Sequence, residues 1–539
     1  MNGAEAILRS LVQNNVNLCL TNPGTTELLF VDAFERVTAM RSVLVLHEGV
    51  ATGAADGYGR CGPPLACALL HLGPGLSNGS SFLHDARRAR TPLVVLVGEH
   101  YSWHLPFDPP LASDIESLAR PVSISVQRLD RVDHLACEIR RAVEMAVMRG
   151  GPAVVIVPQE IQGVELGAEE PRACDDPKCP AILEGFEDET LRRPDPEALA
   201  RHSTELALRL SGASGVTYLV GSPALSEEAI QLTTDLGALL GHNVVLESFP
   251  SVLRRGGSEP VLEKLPYFPD AVRRALASTS LLVLVGARRP LGFFGYEGQP
   301  SELIPDGVEV VTLAPFPSNA LEELKAYGSA VAALGAGEGE PHYPPRPTLE
   351  DGDRSGGSID ARTLAQAIVE AQASGDIVVD EGRTGVGPYF TLANAAPPHR
   401  YLGHSGGAIG EGMPLGIGAA LADPSATVIV IQADGGGMYA PQALWTMVRE
   451  RLDIKVVVVS NRAYRILQIE LRQGGLPLHD RSKSLTSLSD PIIGWVEIAR
   501  GFGVPAVQVA NPQELKGALQ EARNQRGPFL IDVEVAESR

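Results

Sequence analysis

Two short apolar runs, 426–431 and 454–459, each stop at residues able to bind a charged ligand. The first leads into Ala433-Asp434-Gly435-Gly436-Gly437, the second into Ser460-Asn461, and a helical stretch holding Leu444, Trp445 and Val448 lies between them. Such β-branched runs, separated by a helix, read as buried parallel strands. That unit brings Asp434 and Asn461 to one edge of a sheet, the crevice where open α/β sheets bind ligands. A carboxylate, an amide and nearby backbone carbonyls suit a hard cation such as Mg²⁺, which takes its other oxygens from water and phosphate. The three glycines let backbone N–H groups approach that phosphate. The same residues also fit a plainer reading, in which Asp434 caps a helix and the glycines form a turn.

A second group of reactive side chains lies in the first hundred residues. Glu48 sits where an apolar run meets a small-residue helix, and a carboxylate buried there must be protonated or hydrogen-bonded, which suits acid–base chemistry. A capping carboxylate is the alternative. His71 ends another apolar run, followed by Gly73-Pro74-Gly75; it fits a proton shuttle or an ordinary structural hydrogen-bonder. His100 and His104 follow the next run and could border the same crevice. Asn22-Pro23-Gly24 is a turn after which Thr25 either presents a hydroxyl or caps a helix.

These residues need a scaffold of strands ending at one edge. Apolar runs at 17–20, 43–47, 65–70, 92–97 and 153–157 alternate with helical patterns, then come runs near 216–220, 243–247, 281–285 and 308–313, and finally 377–380, 426–431, 454–459 and 529–533. The alternation predicts an α/β protein of three consecutive doubly wound parallel-sheet domains, at 1–165, 190–335 and 359–539. Pro-rich, acidic, aperiodic stretches at 163–194 and 336–358 read as linkers.

With these elements in place, the chain resembles the thiamine-diphosphate (ThDP) enzymes of the acetolactate synthase, benzoylformate decarboxylase and pyruvate decarboxylase superfamily. Asp434-Gly435 and Asn461 match its Gly-Asp-Gly, spacer, Asn-Asn motif, while Ala433 and Ser460 depart from it at positions that are not metal ligands. The resemblance implies pyrimidine-binding, central and diphosphate-binding domains in that order, with Mg²⁺ held by Asp434, Asn461 and the Ala463 carbonyl, and Gly435, Gly436 and Tyr464 near the cofactor. Asn22-Pro23-Gly24-Thr25 is similar to the Asn-Pro-Gly-Ser loop of benzoylformate decarboxylase, which places Asn22, Gly24 and Thr25 at the cofactor. Glu48 matches the glutamate that hydrogen-bonds N1′ of the aminopyrimidine, and His71 follows the decarboxylase pattern of a catalytic histidine. Gly407 would accept the 4′-amino group, Ile409 would support the bent cofactor, and Thr384 aligns with a phosphate contact. Ile466 and Leu467, with Thr25, His71 and His100, fall at substrate-pocket positions; helix packing explains Ile466 and Leu467 equally well. Glu411 stands where relatives carry an aromatic or aliphatic residue.

The implied reaction is decarboxylation of a small 2-oxo acid, giving an enamine that is protonated to an aldehyde, or ligated to a second carbonyl as in acetolactate synthase. A non-catalytic ThDP-binding regulatory protein is the alternative from another class. The segment 286–294 lacks the Arg-Phe-Asp-Asp-Arg run of FAD-binding synthases, which speaks against FAD. The resemblance further implies a homodimer or a dimer of dimers, with each site shared between subunits. A formal charge of −20 argues against a nucleic-acid partner. No apolar stretch approaches a bilayer span and the N-terminus lacks signal character, so no membrane association and a cytoplasmic location are expected.

Overall fold

Along the strand Leu65–His71, alternate side chains enter two different cores: Cys67 and Leu69 one, Ala66, Ala68 and Leu70 the other. A period of two with both faces apolar is the mark of a sheet covered by helices on both sides. The computed structural model describes residues 1–167, 195–335, 343–349 and 357–536, apart from Pro63 and Pro223; most of both expected linkers lies outside the described residues.

The first sheet contains β1 (Val16–Thr21), β2 (Arg41–Leu44), β3 (Leu65–His71), β4 (Leu93–Glu99), β5 (Ser125–Arg128) and β6 (Pro152–Pro158), all parallel, in the order β2-β1-β3-β4-β6-β5. The second contains β7 (Val216–Val220), β8 (Asn243–Leu246), β10 (Glu263–Lys264), β11 (Leu281–Val285) and β12 (Glu309–Ala314), in the order β10-β8-β7-β11-β12. The third, β17-β18-β16-β15-β13-β14-β9, is built from β13 (Ile377–Glu381), β14 (His399–Gly403), β15 (Val428–Ala433), β16 (Ile454–Ser460), β17 (Ala506–Val509) and β18 (Phe529–Glu534), with β9 (Val252–Arg255) added at the edge. β9 pairs antiparallel with β14, so a strand from the middle of the chain completes the last sheet.

Strand order reverses between β1 and β3 and between β13 and β15, and ligand crevices form at such switch points. Asn22, Glu48 and His71 lie at or just beyond the carboxyl ends of β1, β2 and β3, and Thr384, Asp434 and Asn461 just beyond those of β13, β15 and β16. Five short strands (β5, β9, β10, β14, β17) carry no apolar run and escaped the sequence reading, because they sit at or near edges where polar residues are tolerated. The run 43–47 yields a strand only to Leu44, since His47 is taken as the cap of the next helix. No described helix is long and apolar enough to cross a membrane.

Helices Glu48–Arg60 and Gly412–Ala422 join the first and third domains. Nearly every residue of both is buried, and their backbones meet at glycines: a Cβ on Gly57 would lie 2.0 Å from the Leu415 carbonyl oxygen, and one on Gly418 2.0 Å from that of Ala54. Gly418→Ala is therefore expected to destabilise the protein by at least ~1–3 kcal/mol, the usual cost of overpacking. Denaturant unfolding would show it, and an unchanged midpoint would refute so close a crossing.

Candidate cofactor and active site

Helix Glu48–Arg60 is capped by the His47 ring, whose Nδ1 accepts the Gly49 N–H at 3.0 Å. Glu48 is thus free of the capping role. Its carboxylate, 7% exposed, accepts the side-chain amides of Asn22 (3.2 Å) and Asn78 (2.9 Å). Asn78 was not singled out in the sequence; it reaches Glu48 only because the helix Leu72–Ala89 packs alongside.

His71 closes β3, and its Nδ1 lies 2.8 Å from Glu27 Oε2 and 3.0 Å from Thr26 Oγ1. Glu27 is wholly buried and also accepts the Gly24 N–H at 2.9 Å and the Thr26 hydroxyl. Burial raises the Glu27 pKa, and the bonds from Thr26 and the charge of His71 work against that. A carboxylate on Nδ1 favours the tautomer with hydrogen there, leaving the lone pair on Nε2. Two glycines make the room: a Cβ on Gly24 would fall 2.2 Å from the His71 ring, and one on Gly98 1.8 Å from Glu27 Oε1. Thr25 is exposed at the start of the turn Thr25–Glu27, and Thr26 is the hydroxyl that turns inward. Gly75 separates the two reactive groups, its Cβ position lying 3.4 Å from His71 Cβ and 3.6 Å from Glu48 Cγ. His100 is half-buried, packs edge-on against His104, and has no partner at Nε2 among the described residues. Burial, then His104 and His71, lowers its pKa.

At the other switch point Asp434 opens the turn Asp434–Gly437. Its Oδ1 accepts the Gly435 N–H and its Oδ2 reaches across to the Arg462 N–H, both at 2.8 Å. Local capping is therefore only half of its bonding; the other half ties β15 to the end of β16. Thr384, Gly385, Asn461, Ala463 and Arg465 line one recess, and Asp434, Ser460, Arg462 and Asp532 line the next. Ser460 donates its hydroxyl to Asp532. The Tyr464 ring covers Gly435, where a Cβ would approach to 2.6 Å. Ile466 is half-buried and Leu467 exposed on the helix Arg465–Gln473, which buries Gln468 alone, so these residues do not form a core face.

The loop 406–412 is held from two sides. Glu381, absent from the sequence-derived candidates, accepts the N–H groups of Gly410 and Gly412 at 2.6 Å each and lies 3.1 Å from where a Gly436 Cβ would be, linking this loop to the turn Asp434–Gly437. Asp85 of the first domain accepts the Ala408 N–H at 3.1 Å. Gly407 has φ +94 and lies against the Phe293 ring, which packs with Phe249, Tyr267 and Phe294. Ile409 is half-buried. Tyr296, beside this cluster in sequence, donates to Glu470 at 3.0 Å.

The donor set fits a hard divalent cation. Burial raises the Asp434 pKa; the two N–H bonds oppose it and Asp532 adds to it, so a cation would relieve a charge the protein leaves undercompensated. Asn461 Oδ1, which among the described residues accepts the Ala463 N–H alone, at 3.0 Å, keeps a lone pair for such an ion.

Residues 1–116 match the thiamine pyrophosphate enzyme, N-terminal TPP binding domain, and residues 385–533 the C-terminal TPP binding domain. The chain is 39% identical to a putative acetolactate synthase large subunit of Mycobacterium tuberculosis, across 99% of each. It is 27% identical to a benzoylformate decarboxylase of Pseudomonas aeruginosa, across 95% of this chain and 94% of that one. The fold is that of a ThDP-dependent 4-hydroxybenzoylformate decarboxylase of Rhodococcus jostii, with a TM-score of 0.84 at 20% identity over all of both chains. Asp434→Ala and Asn461→Ala should each weaken ThDP binding by at least about tenfold, judged from what even supporting residues contribute at metal sites. Chelation of divalent ions from the parent protein should do the same in a calorimetric titration; undiminished affinity in all three would remove the metal assignment.

Proposed function

The chain belongs to the thiamine pyrophosphate-dependent enzyme family, and from that premise we propose that it decarboxylates a small 2-oxo acid with ThDP and Mg²⁺ and delivers a proton to give an aldehyde. Bound ThDP supplies the electron sink that lets CO₂ depart. The protein's part is to hold the cofactor, orient the substrate and handle protons. Asp434, Asn461 and the Ala463 carbonyl hold Mg²⁺ and through it the diphosphate, with Thr384, Gly435 and Gly436 beside it. Gly407 and Ile409 hold the other end.

The observation that carries the proposal is the pair of proton-handling groups on either side of Gly75. Glu48, held by two amides and, among the described residues, by no cation, would be the group to exchange a proton with the aminopyrimidine of the bound cofactor. His71, fixed at Nδ1 by Glu27, has Nε2 left to protonate substrate-derived atoms. Similarity to a putative acetolactate synthase large subunit supports a second route, ligation to another carbonyl, through the same residues. Exposed apolar side chains near both half-sites, Leu28, Trp103 and Phe107 on one and Met438, Leu467 and Ile492 on the other, support a homodimer that covers them. We place this enzyme in the cytoplasm.

Glu48→Gln is expected to slow C2–H/D exchange of bound ThDP and to remove aldehyde and ligation products together. His71→Ala should leave that exchange near the parental rate and lower turnover by about 10²–10⁴-fold, the usual range for one acid–base group. NMR exchange rates beside product yields separate the two, and parental exchange in Glu48→Gln would overturn the assignment. Light scattering at working concentration should find at least a dimer; an active monomer would contradict the shared site.

A further inference from the structure

Glu411, which stands where relatives carry an aromatic or aliphatic residue, is wholly buried, and no donor reaches either of its carboxylate oxygens among the described residues. Three elements pack around it. Helix Glu48–Arg60 contributes Asp56 and Arg60, helix Leu72–Ala89 contributes Asp85, and the segment after β14 contributes His404, behind which stands Arg383. Arg60 is committed elsewhere: it donates to Asp56 at 2.8 and 2.5 Å and to the Gly403 carbonyl at 2.5 Å, and comes no nearer to Glu411 than 3.7 Å. Asp85 spends Oδ1 on the Ala408 N–H, while its Oδ2 lies 3.1 Å from His404 Nε2. One ligand atom each of Asp85, His404 and Glu411 lie within 4.8 Å of one another.

Three buried carboxylates thus share one arginine, and uncompensated charge in such a place is costly. A metal ion or a proton would relieve it, and His404 decides between them. The Arg383 guanidinium, which can only donate, lies 2.7 Å from His404 Nδ1. Nδ1 therefore offers its lone pair, and Nε2 carries the hydrogen that points to the Ala408 carbonyl at 2.5 Å. A nitrogen bearing hydrogen does not ligate a metal. The remaining solution is a proton on a carboxylate, and burial, then the charges of Asp56 and Asp85, push the Glu411 carboxyl well above its ordinary range, with Arg60 opposing.

We propose that Glu411 is a neutral carboxylic acid whose proton is shared with the facing carboxylates of Asp56 and Asp85, and that it thereby positions the loop 406–412 against the first domain. The role in cofactor binding rests on the reading of Gly407 and Ile409 given above. Glu381 secures the far side of this loop through Gly410 and Gly412, so the Asp85 contact to Ala408 is the side that can give way. Ionised Glu411 would repel Asp85 and loosen that contact.

The sign of the pH effect follows from the raised pKa. Its contribution to stability is complete below the ordinary carboxylate value of 4.5 and is lost as pH rises through the value in the folded protein. The test compares parent, Glu411→Gln and Asp85→Asn. In cofactor-free protein, the Tm of the parent should fall progressively below that of Glu411→Gln as pH rises, and in Asp85→Asn, with one like charge gone, the decline should end at lower pH. With ThDP and Mg²⁺, the parent should lose affinity by up to about tenfold per pH unit as pH rises through the value at which Glu411 ionises, a loss that Glu411→Gln should not share. Parallel Tm profiles for parent and Glu411→Gln would overturn the proposal, as would tight binding of one equivalent of Zn²⁺ that Glu411→Gln abolishes. If Glu411→Gln does not fold, the Asp85→Asn shift decides, and its absence counts against the shared proton. Failure of the parent to bind ThDP at any pH would instead refute the proposed function, and the cofactor-free Tm comparison would still judge Glu411.

Discussion

The backbone contact between helices Glu48–Arg60 and Gly412–Ala422 is the constraint on which both half-sites depend. At Gly57 and Gly418 nothing larger than hydrogen fits between the helices, so their separation and rotation are fixed by sterics. One helix begins with Glu48, the other follows directly on the loop 406–412. A rigid crossing therefore sets Glu48 and the loop 406–412 in one frame, and the shared apolar core that surrounds it makes slippage costly in buried area.

Within that frame, buried carboxylates fasten the loops. Glu27 takes the Gly24 N–H and orients His71; Glu381 takes Gly410 and Gly412; Asp434 takes Gly435 and Arg462; Asp85 takes Ala408. A buried carboxylate is tolerated only with donors around it, and glycine-rich loops present N–H groups that no side chain screens. The glycines and the acids are one device: the former expose donors and make room, the latter collect them. Glu411 is the exception, an acid with neighbours but no donor among the described residues.

Much of this architecture can be read from the chain. The long apolar runs place the central strands of all three sheets, because strands buried on both faces must be apolar throughout, and strand ends followed by Gly, Asp, Asn or His mark the switch-point loops. Glu48, His71, Asp434 and Asn461 are legible for that reason. Edge strands such as Ser125–Arg128 and Ala506–Val509 are not, since half-exposed strands tolerate the residues that loops also use.

The sequence by itself determined which reactive residues end up at strand ends, since local pattern and chain order decide that. Only the tertiary structure decided their partners. That Asn78 joins Asn22 on Glu48, that Thr26 and not Thr25 faces His71, that Glu27 and Glu381 are clamps, and that β9 crosses to the last sheet all depend on contacts between segments far apart in the chain. Hydrogen bonding and burial at such contacts are set by how helices and sheets pack, and a single sequence carries no periodic signal for them.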